Sequence, residues 1–134
     1  METRYPDLKT RIQSIFIDSM LMIALMFLSA WILDKINPSQ QEEEDGMLRA
    51  IIFISIWGVY EPLSMTLGGT LGNYLMKIRA RKFSDNKKKM NLLQAYVRFM
   101  VKLLLGWLSF LTINSNKERR AIHDLVGGTV MIAK

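Results

Sequence analysis

Four charged residues stand inside apolar stretches of this sequence, where charge is costly, and their types suit ion or proton binding. Asp18 lies in the run from Ile12 to Leu33, Glu61 in the run from Met47 to Gly69, and Arg98 and Lys102 in the stretch from Asn91 to Ile113. A charged side chain at a bilayer centre costs roughly 2.5–3.5 kcal/mol on insertion scales, so such groups pair with one another or face a water-filled cavity. Carboxylates in that setting titrate or coordinate a cation, and nearby bases tune them. Arg11, Ser14 and Asp18 follow an i, i+3, i+7 pattern and share one helical face. Asn91, Gln94, Arg98 and Lys102 form a second polar stripe, continued by the small residues Gly106 and Ser109. Such stripes face the interior of a membrane bundle rather than lipid. Asp18 and Glu61 are therefore the candidate ion-binding or proton-coupling acids, with Arg11, Arg98 and Lys102 as the charge network around them. The plainer account is a buried pair, such as Asp18 with Arg98, that only fixes helix register.

Two further features bear on chemistry. Pro62 follows Glu61 and cannot donate to the carbonyl of Gly58, so a helix break is expected at Gly58 and Pro62, at the depth of the acid. In the tail, Arg120 and Asp124 are four residues apart and would pair on one helical turn. Arg119 and His123 beside them invite a catalytic reading. The hydroxyls near His123 in sequence are only Thr112, Ser115 and Thr129, so no nucleophile is evident and no catalytic residue is expected. With no cysteine and one histidine, thiolate chemistry and a histidine-rich metal site are excluded. No cofactor is implied.

The elements that position these residues are legible as blocks. Half of the 134 residues are hydrophobic and 22% are charged, and the two kinds alternate in long windows rather than mixing. The pattern predicts an all-α fold, a single small helical membrane bundle over residues 1–134. Spans are expected at about 12–33 and 47–69, with a third element at about 91–113. Read as one helix, the third element is long enough to cross. Alternatively, Asn91–Lys102 lies at the interface and Leu103–Ile113 dips in and returns. Eleven apolar residues suit a re-entrant element better than a full span. The tail from Ala121 to Ala133 is expected to pack against the bundle. The net charge of +6 reads as a topology signal rather than as nucleic-acid binding. Lysine and arginine crowd the N-terminal segment and the loop at about 70–90, while the loop Asp34–Gly46 is acidic. That asymmetry predicts a multi-pass protein with its N-terminus and basic loop in the cytoplasm.

Depth reinforces the choice of acids. Measured from the cytoplasmic side, Asp18 falls about 9 Å in, Glu61 about 12 Å, Arg98 about 9 Å and Lys102 about 15 Å, at 1.5 Å per helical residue. Independent spans thus set two acids and two bases in one layer.

The same residues resemble the RDD family, named for one arginine and two aspartates. Arg11-Ile12-Gln13-Ser14-Ile15-Phe16-Ile17-Asp18 resembles its opening arginine and the aspartate two turns later. Gly69-Thr70-Leu71-Gly72-Asn73, followed by Leu75-Met76-Lys77-Ile78-Arg79, is similar to its central stretch, with Asn73 where a lysine is usual. Arg98 falls where a further arginine is usual. Arg119-Arg120-Ala121-Ile122-His123-Asp124-Leu125-Val126-Gly127-Gly128-Thr129-Val130 resembles the closing signature. The resemblance implies Arg11, Asp18 and Asp124 as the family residues, a bacterial cell-membrane location, and a role for which transport has been suggested. The expectation is a cation or proton transporter working as a homo-oligomer among membrane lipid, with a monovalent cation or proton as its ligand. The alternative is a non-transporting accessory or scaffold subunit whose buried charges specify assembly.

Overall fold

The structure, a computed structural model, describes residues 2–36, 38 and 42–134. The acidic loop expected over Asp34–Gly46 lies partly outside the described residues. Helix α1 spans Leu8–Ile36 and α2 spans Glu42–Leu67. A short α3 at Leu71–Leu75 leads into strand β1 at Ile78–Lys82. Helix α4 covers Leu92–Leu105, and two 3-10 turns follow at Gly106–Phe110 and Ile113–Ser115. The chain closes with α5 at Ile122–Gly127 and β2 at Thr129–Ala133. The protein is mostly helical, and the segments Leu8–Ile36, Gly46–Leu75 and Leu92–Phe110 are each long and apolar enough to cross a membrane.

Apolar residues occupy all sides of α1 and α2 rather than one stripe, the pattern of a helix that meets hydrocarbon around its circumference. Phe16, Phe27 and Trp31 on α1 and Met47, Ile54 and Leu67 on α2 accordingly face outward. Helix α2 runs through Gly58 and Pro62 without interruption, which corrects the expected break there. One missing donor is tolerated where the rest of the ladder and the neighbouring helices hold the backbone. The helix ends instead at Gly68 and Gly69, whose φ angles of 127° and 154° exclude most other residues.

Helix α4 begins at a capping box: the Asn91 side chain accepts from the Gln94 N–H at 2.8 Å, and Gln94 Oε1 accepts from the Asn91 N–H at 3.2 Å. It ends at Gly106, whose φ of 54° is positive. Beyond this point the chain turns back. A continued helix would carry Ser109 roughly 16 Å along the axis past Arg98. Ser109 instead lies 3.1 Å from His123, next to Asp124, which Arg98 itself binds. The third element is therefore an α-helix that gives way at Gly106 to a 3-10 segment, both within the stretch Leu92–Phe110 that is long and apolar enough to cross.

The all-α expectation misses one element. Strands β1 and β2 pair antiparallel, with Ile78 opposite Ala133, Ala80 opposite Met131 and Lys82 opposite Thr129. Alternation turns Ile78 and Ala80 into the core and leaves Arg79 and Arg81 on the other face. The core, Met65, Ile78, Ala80, Met90, Ala95 and Met131, thus joins the end of α2, the start of α4 and the ribbon. The tail packs against the bundle as expected, as α5 and β2.

Gly72 sets the approach of α1 to α3. A Cβ there would lie 2.0 Å from the Ser14 carbonyl oxygen, so the two backbones touch. At Gly58 the same Cβ would meet only the Phe99 ring, at 3.9 Å. Gly72→Ala is expected to destabilise the protein by about 1–3 kcal/mol, and Gly58→Ala to leave it unchanged. Thermal unfolding in detergent, followed by tryptophan fluorescence, compares them; equal midpoints would show that α1 and α3 are not in backbone contact.

Candidate functional site

Asp124, fully buried, is the centre of the polar cluster. Its Oδ2 accepts from Arg11 Nη2 at 2.6 Å, and its Oδ1 accepts from Arg98. The same Oδ2 accepts from the Ala121 N–H at 3.0 Å, so the carboxylate also caps the first turn of α5. Three parts of the chain far apart in sequence thus meet on one side chain: the start of α1, the middle of α4 and α5. Arg98 also donates to Thr129, and Arg11 donates to the Arg119 carbonyl at 2.9 Å. Arg120 does not pair with the Asp124 carboxylate as its spacing suggested. It donates instead to backbone carbonyls, of Thr129 at 2.9 Å and Asp124 at 3.1 Å. The i, i+4 pair fails because Ala121, not Arg120, opens α5, and the carboxylate is occupied by the two other arginines.

Burial alone would raise the pKa of Asp124, but Arg11 and Arg98 overturn that and hold it well below the usual carboxylate range. His123 moves for the opposite reason. Its burial, with Arg98, Lys102 and Arg11 near, outweighs Asp124 and drives its pKa well below the ordinary value. The imidazole is therefore neutral, and its tautomer follows from its partners. Arg11 can only donate, so Nε2, 3.3 Å from Arg11 Nη2, accepts. Nδ1 then carries the proton and donates to Ser109 Oγ at 3.1 Å, while Ser109 donates to the Gly106 carbonyl at 2.9 Å. A serine beside a histidine and an aspartate has the residue types of a catalytic triad, but here the proton points the wrong way. His123 gives a hydrogen bond to Ser109 and cannot take its proton, and the three side chains are sealed from solvent.

The two intramembrane acids are separate from this cluster and from each other. Asp18 does not pair with Arg98. It accepts from the Gly72 N–H at 2.9 Å, from the Tyr60 hydroxyl at 3.3 Å and from the Thr70 hydroxyl, and so ties α1 to the turn between α2 and α3. Glu61 pairs with Lys102 of α4 and accepts from Trp57 Nε1 at 3.1 Å. That pair lines a cavity of about 420 Å³ whose other walls are apolar, among them Ile12, Phe99, Leu103 and Trp107. Of the layer of four charges, then, Glu61 and Lys102 meet, Arg98 turns to the tail, and Asp18 is held by neutral donors. Sequence reasoning missed Ser109 as a partner of His123, Tyr60 as a partner of Asp18, and Asn73, which accepts from the Ser14 hydroxyl at 2.6 Å. Asn73, which stands where the resemblance has a lysine, lines a small void together with Arg11 and Arg98.

Fold and site together define a small helical integral membrane protein whose buried tail aspartate is clamped by arginines from two of its apolar helices. The family model described as RDD family matches residues 5–128, nearly the whole chain, and the protein belongs to that family. No curated protein and no solved structure matches it.

Replacing Asp124 with asparagine leaves two buried guanidinium groups unneutralised, and Asp124→Asn is expected to cost about 3–5 kcal/mol in unfolding free energy. A variant within experimental error of the wild type in denaturant unfolding would show that the clamp is not formed. His123 adds a pH dependence. Below its ordinary pKa of about 6.5, the unfolded chain takes a proton that the folded imidazole refuses. Its contribution is therefore fully present above that pH and is lost as pH falls towards the depressed folded value. The unfolding midpoint should drop between pH 7 and 5, and His123→Gln should flatten that slope.

Proposed function

We propose that the protein carries protons or small monovalent cations across a bacterial cell membrane as a homo-oligomer, with the Glu61–Lys102 pair as its exchange site. The observation that carries this reading is the position of the pair, on the wall of an otherwise apolar cavity between α1, α2 and α4. An ion pair so placed is neutral as a whole but can be opened, because a proton or cation arriving at Glu61 displaces the ammonium of Lys102. The carboxylate holds one positive partner at a time, which is the requirement for exchange. Trp57 keeps the second carboxylate oxygen oriented during the change of partner.

Asp18 has a positioning role in this reading, since its three donors are neutral and each belongs to the α2–α3 region. Three helices enclose too little volume for a complete path, so the path runs between copies of the chain. Lys9 and Arg11 in the first turns of α1, with the Lys and Arg around β1, support a cytoplasmic N-terminus. No catalytic step is assigned to the chain. The second reading, an accessory subunit whose buried charges only specify assembly, draws on the Arg11–Asp124–Arg98 cluster, which borders a void of only about 20 Å³.

Cation-driven proton flux in liposomes loaded with a pH-sensitive dye tests the proposal. Wild-type protein should respond to a sodium or potassium gradient, and Glu61→Gln should cut the rate at least tenfold, the roughly 1.4 kcal/mol that a lost contact to the ion represents. A folded wild type that carries no common monovalent ion would leave the accessory reading in its place.

A further inference from the structure

A second cavity lies away from the exchange site, where α2 ends. Its volume is about 320 Å³, and its lining includes Arg79, Arg81, Lys89 and Lys134, together with Leu67 and Tyr74. The four cations come from β1, from the loop before α4 and from the residue after β2, and no acidic side chain lines the space. None of the four makes an ion pair among the described residues. The strand alternation that buries Ile78 and Ala80 is what sets Arg79 and Arg81 side by side on the opposite face.

The two strand arginines of this cluster, Arg79 and Arg81, lack a side-chain counter-charge among the described residues. The Nε of Arg79 is buried without a hydrogen-bond partner, an unsatisfied donor that elsewhere in the protein would be costly. Arg81 spends one of its donors on the carbonyl of its own neighbour, Ala80, at 3.0 Å. Its pKa is lowered by partial burial and by the charge of Arg79. Like charges gathered in a concave space with a stranded donor describe half of a salt bridge, of which the other half is an anion.

We infer that this cavity binds the phosphate group of an anionic phospholipid, with Arg79, Arg81 and Lys89 on the phosphate and the acyl chains along Leu67 and Tyr74. The commitment to lipid rests on what surrounds the cations. Leu67 and Tyr74, 74% and 67% exposed, stand at the same cavity, and Leu71 and Leu75 extend the apolar surface beside them. A free phosphate would use the cations and leave that apolar lip uncovered, whereas a phospholipid presents charge and hydrocarbon in the matching order. Guanidinium groups suit phosphate oxygens because they donate in a planar fork. The end of α2 is also the level at which headgroups meet a spanning helix.

The test uses the whole protein in neutral detergent, with thermal unfolding read while dioleoylphosphatidylglycerol, dioleoylphosphatidylcholine or inorganic phosphate is titrated at fixed ionic strength. Phosphatidylglycerol should raise the midpoint saturably, and neither phosphatidylcholine nor inorganic phosphate should do so at the same concentration. The double variant Arg79→Gln/Arg81→Gln should need roughly thirtyfold more phosphatidylglycerol, the loss of two cations of ordinary juxtamembrane strength. Should that variant fail to fold, Lys89→Gln, which lies outside both strands, should still shift the titration severalfold. A matched variant, Lys87→Gln/Lys88→Gln, removes the same charge outside the cavity and should titrate like the wild type. Equal stabilisation by phosphatidylcholine, an equal response to inorganic phosphate, or an equal loss in the matched variant would each overturn the proposal.

Discussion

One carboxylate organises the compact end of this molecule. Asp124 receives Arg11 from α1 and Arg98 from α4, and so joins the first and third apolar helices through a residue that belongs to neither. Two cations and one anion are buried there, an excess of positive charge that burial penalises heavily. The arrangement persists because each arginine also finds a second oxygen, Thr129 for Arg98 and the Arg119 carbonyl for Arg11, while the Ala121 N–H donates to the carboxylate. Gly127 lets α5 lie close enough on α4 for this, since a Cβ there would stand 2.8 Å from the Arg98 side chain. The neutral His123 belongs to the same logic, because a third cation could not be accommodated. Hydrophobic burial alone would not fix this end so specifically, because the contacts that join α1, α4 and α5 there are made by polar side chains.

The three acids of the apolar region and tail are held in three different ways, and the differences separate their roles. Asp124 is saturated by fixed guanidinium groups and sealed. Asp18 is held by hydroxyl and backbone donors at the turn after α2, where it supports the Gly72 contact. Glu61 has one flexible ammonium partner and a cavity in front of it. An arginine clamp resists exchange, because each guanidinium is held at a second acceptor as well, the Arg119 carbonyl or Thr129, whereas a lysine is a point charge on a long stem. On the proposed exchange reading, the kind of partner rather than depth in the membrane is what singles out Glu61.

Much of the fold was legible because membrane spans announce themselves through long apolar windows and the polar interruptions between them. Arg11, Arg98 and Lys102 were legible as charges around the two acids, Asp124 only as a partner for Arg120, and Asp18, Glu61, Arg98 and Lys102 as one layer. What the sequence did not reveal was partnership. Depth placed Asp18 and Arg98 at one level, but level says nothing of azimuth, and the tail delivers a closer acid to Arg98. Ser109 was visible only as a small residue on a stripe, since its contact with His123 depends on the chain reversing at Gly106. The ribbon was hidden by its charges: Ile-Arg-Ala-Arg-Lys reads as a basic loop, and only its pairing with a distant apolar tail makes it a strand. Pro62 misled in the other direction, because a single missing donor does not break a helix whose neighbours hold it.

The span of chain between the partners of the clamp also orders its assembly in time. Arg11 and Asp124 are separated by 113 positions, and β1 waits similarly for β2. At about 5–20 residues per second of synthesis, roughly 6–23 s separate the appearance of the arginine from that of its acid. During that interval α1 and α2 can enter the bilayer while Arg11 stays hydrated at its edge, and the basic ribbon face stands without its second strand. Closure of the clamp therefore has to wait for synthesis of the tail, whatever the earlier helices have done by then.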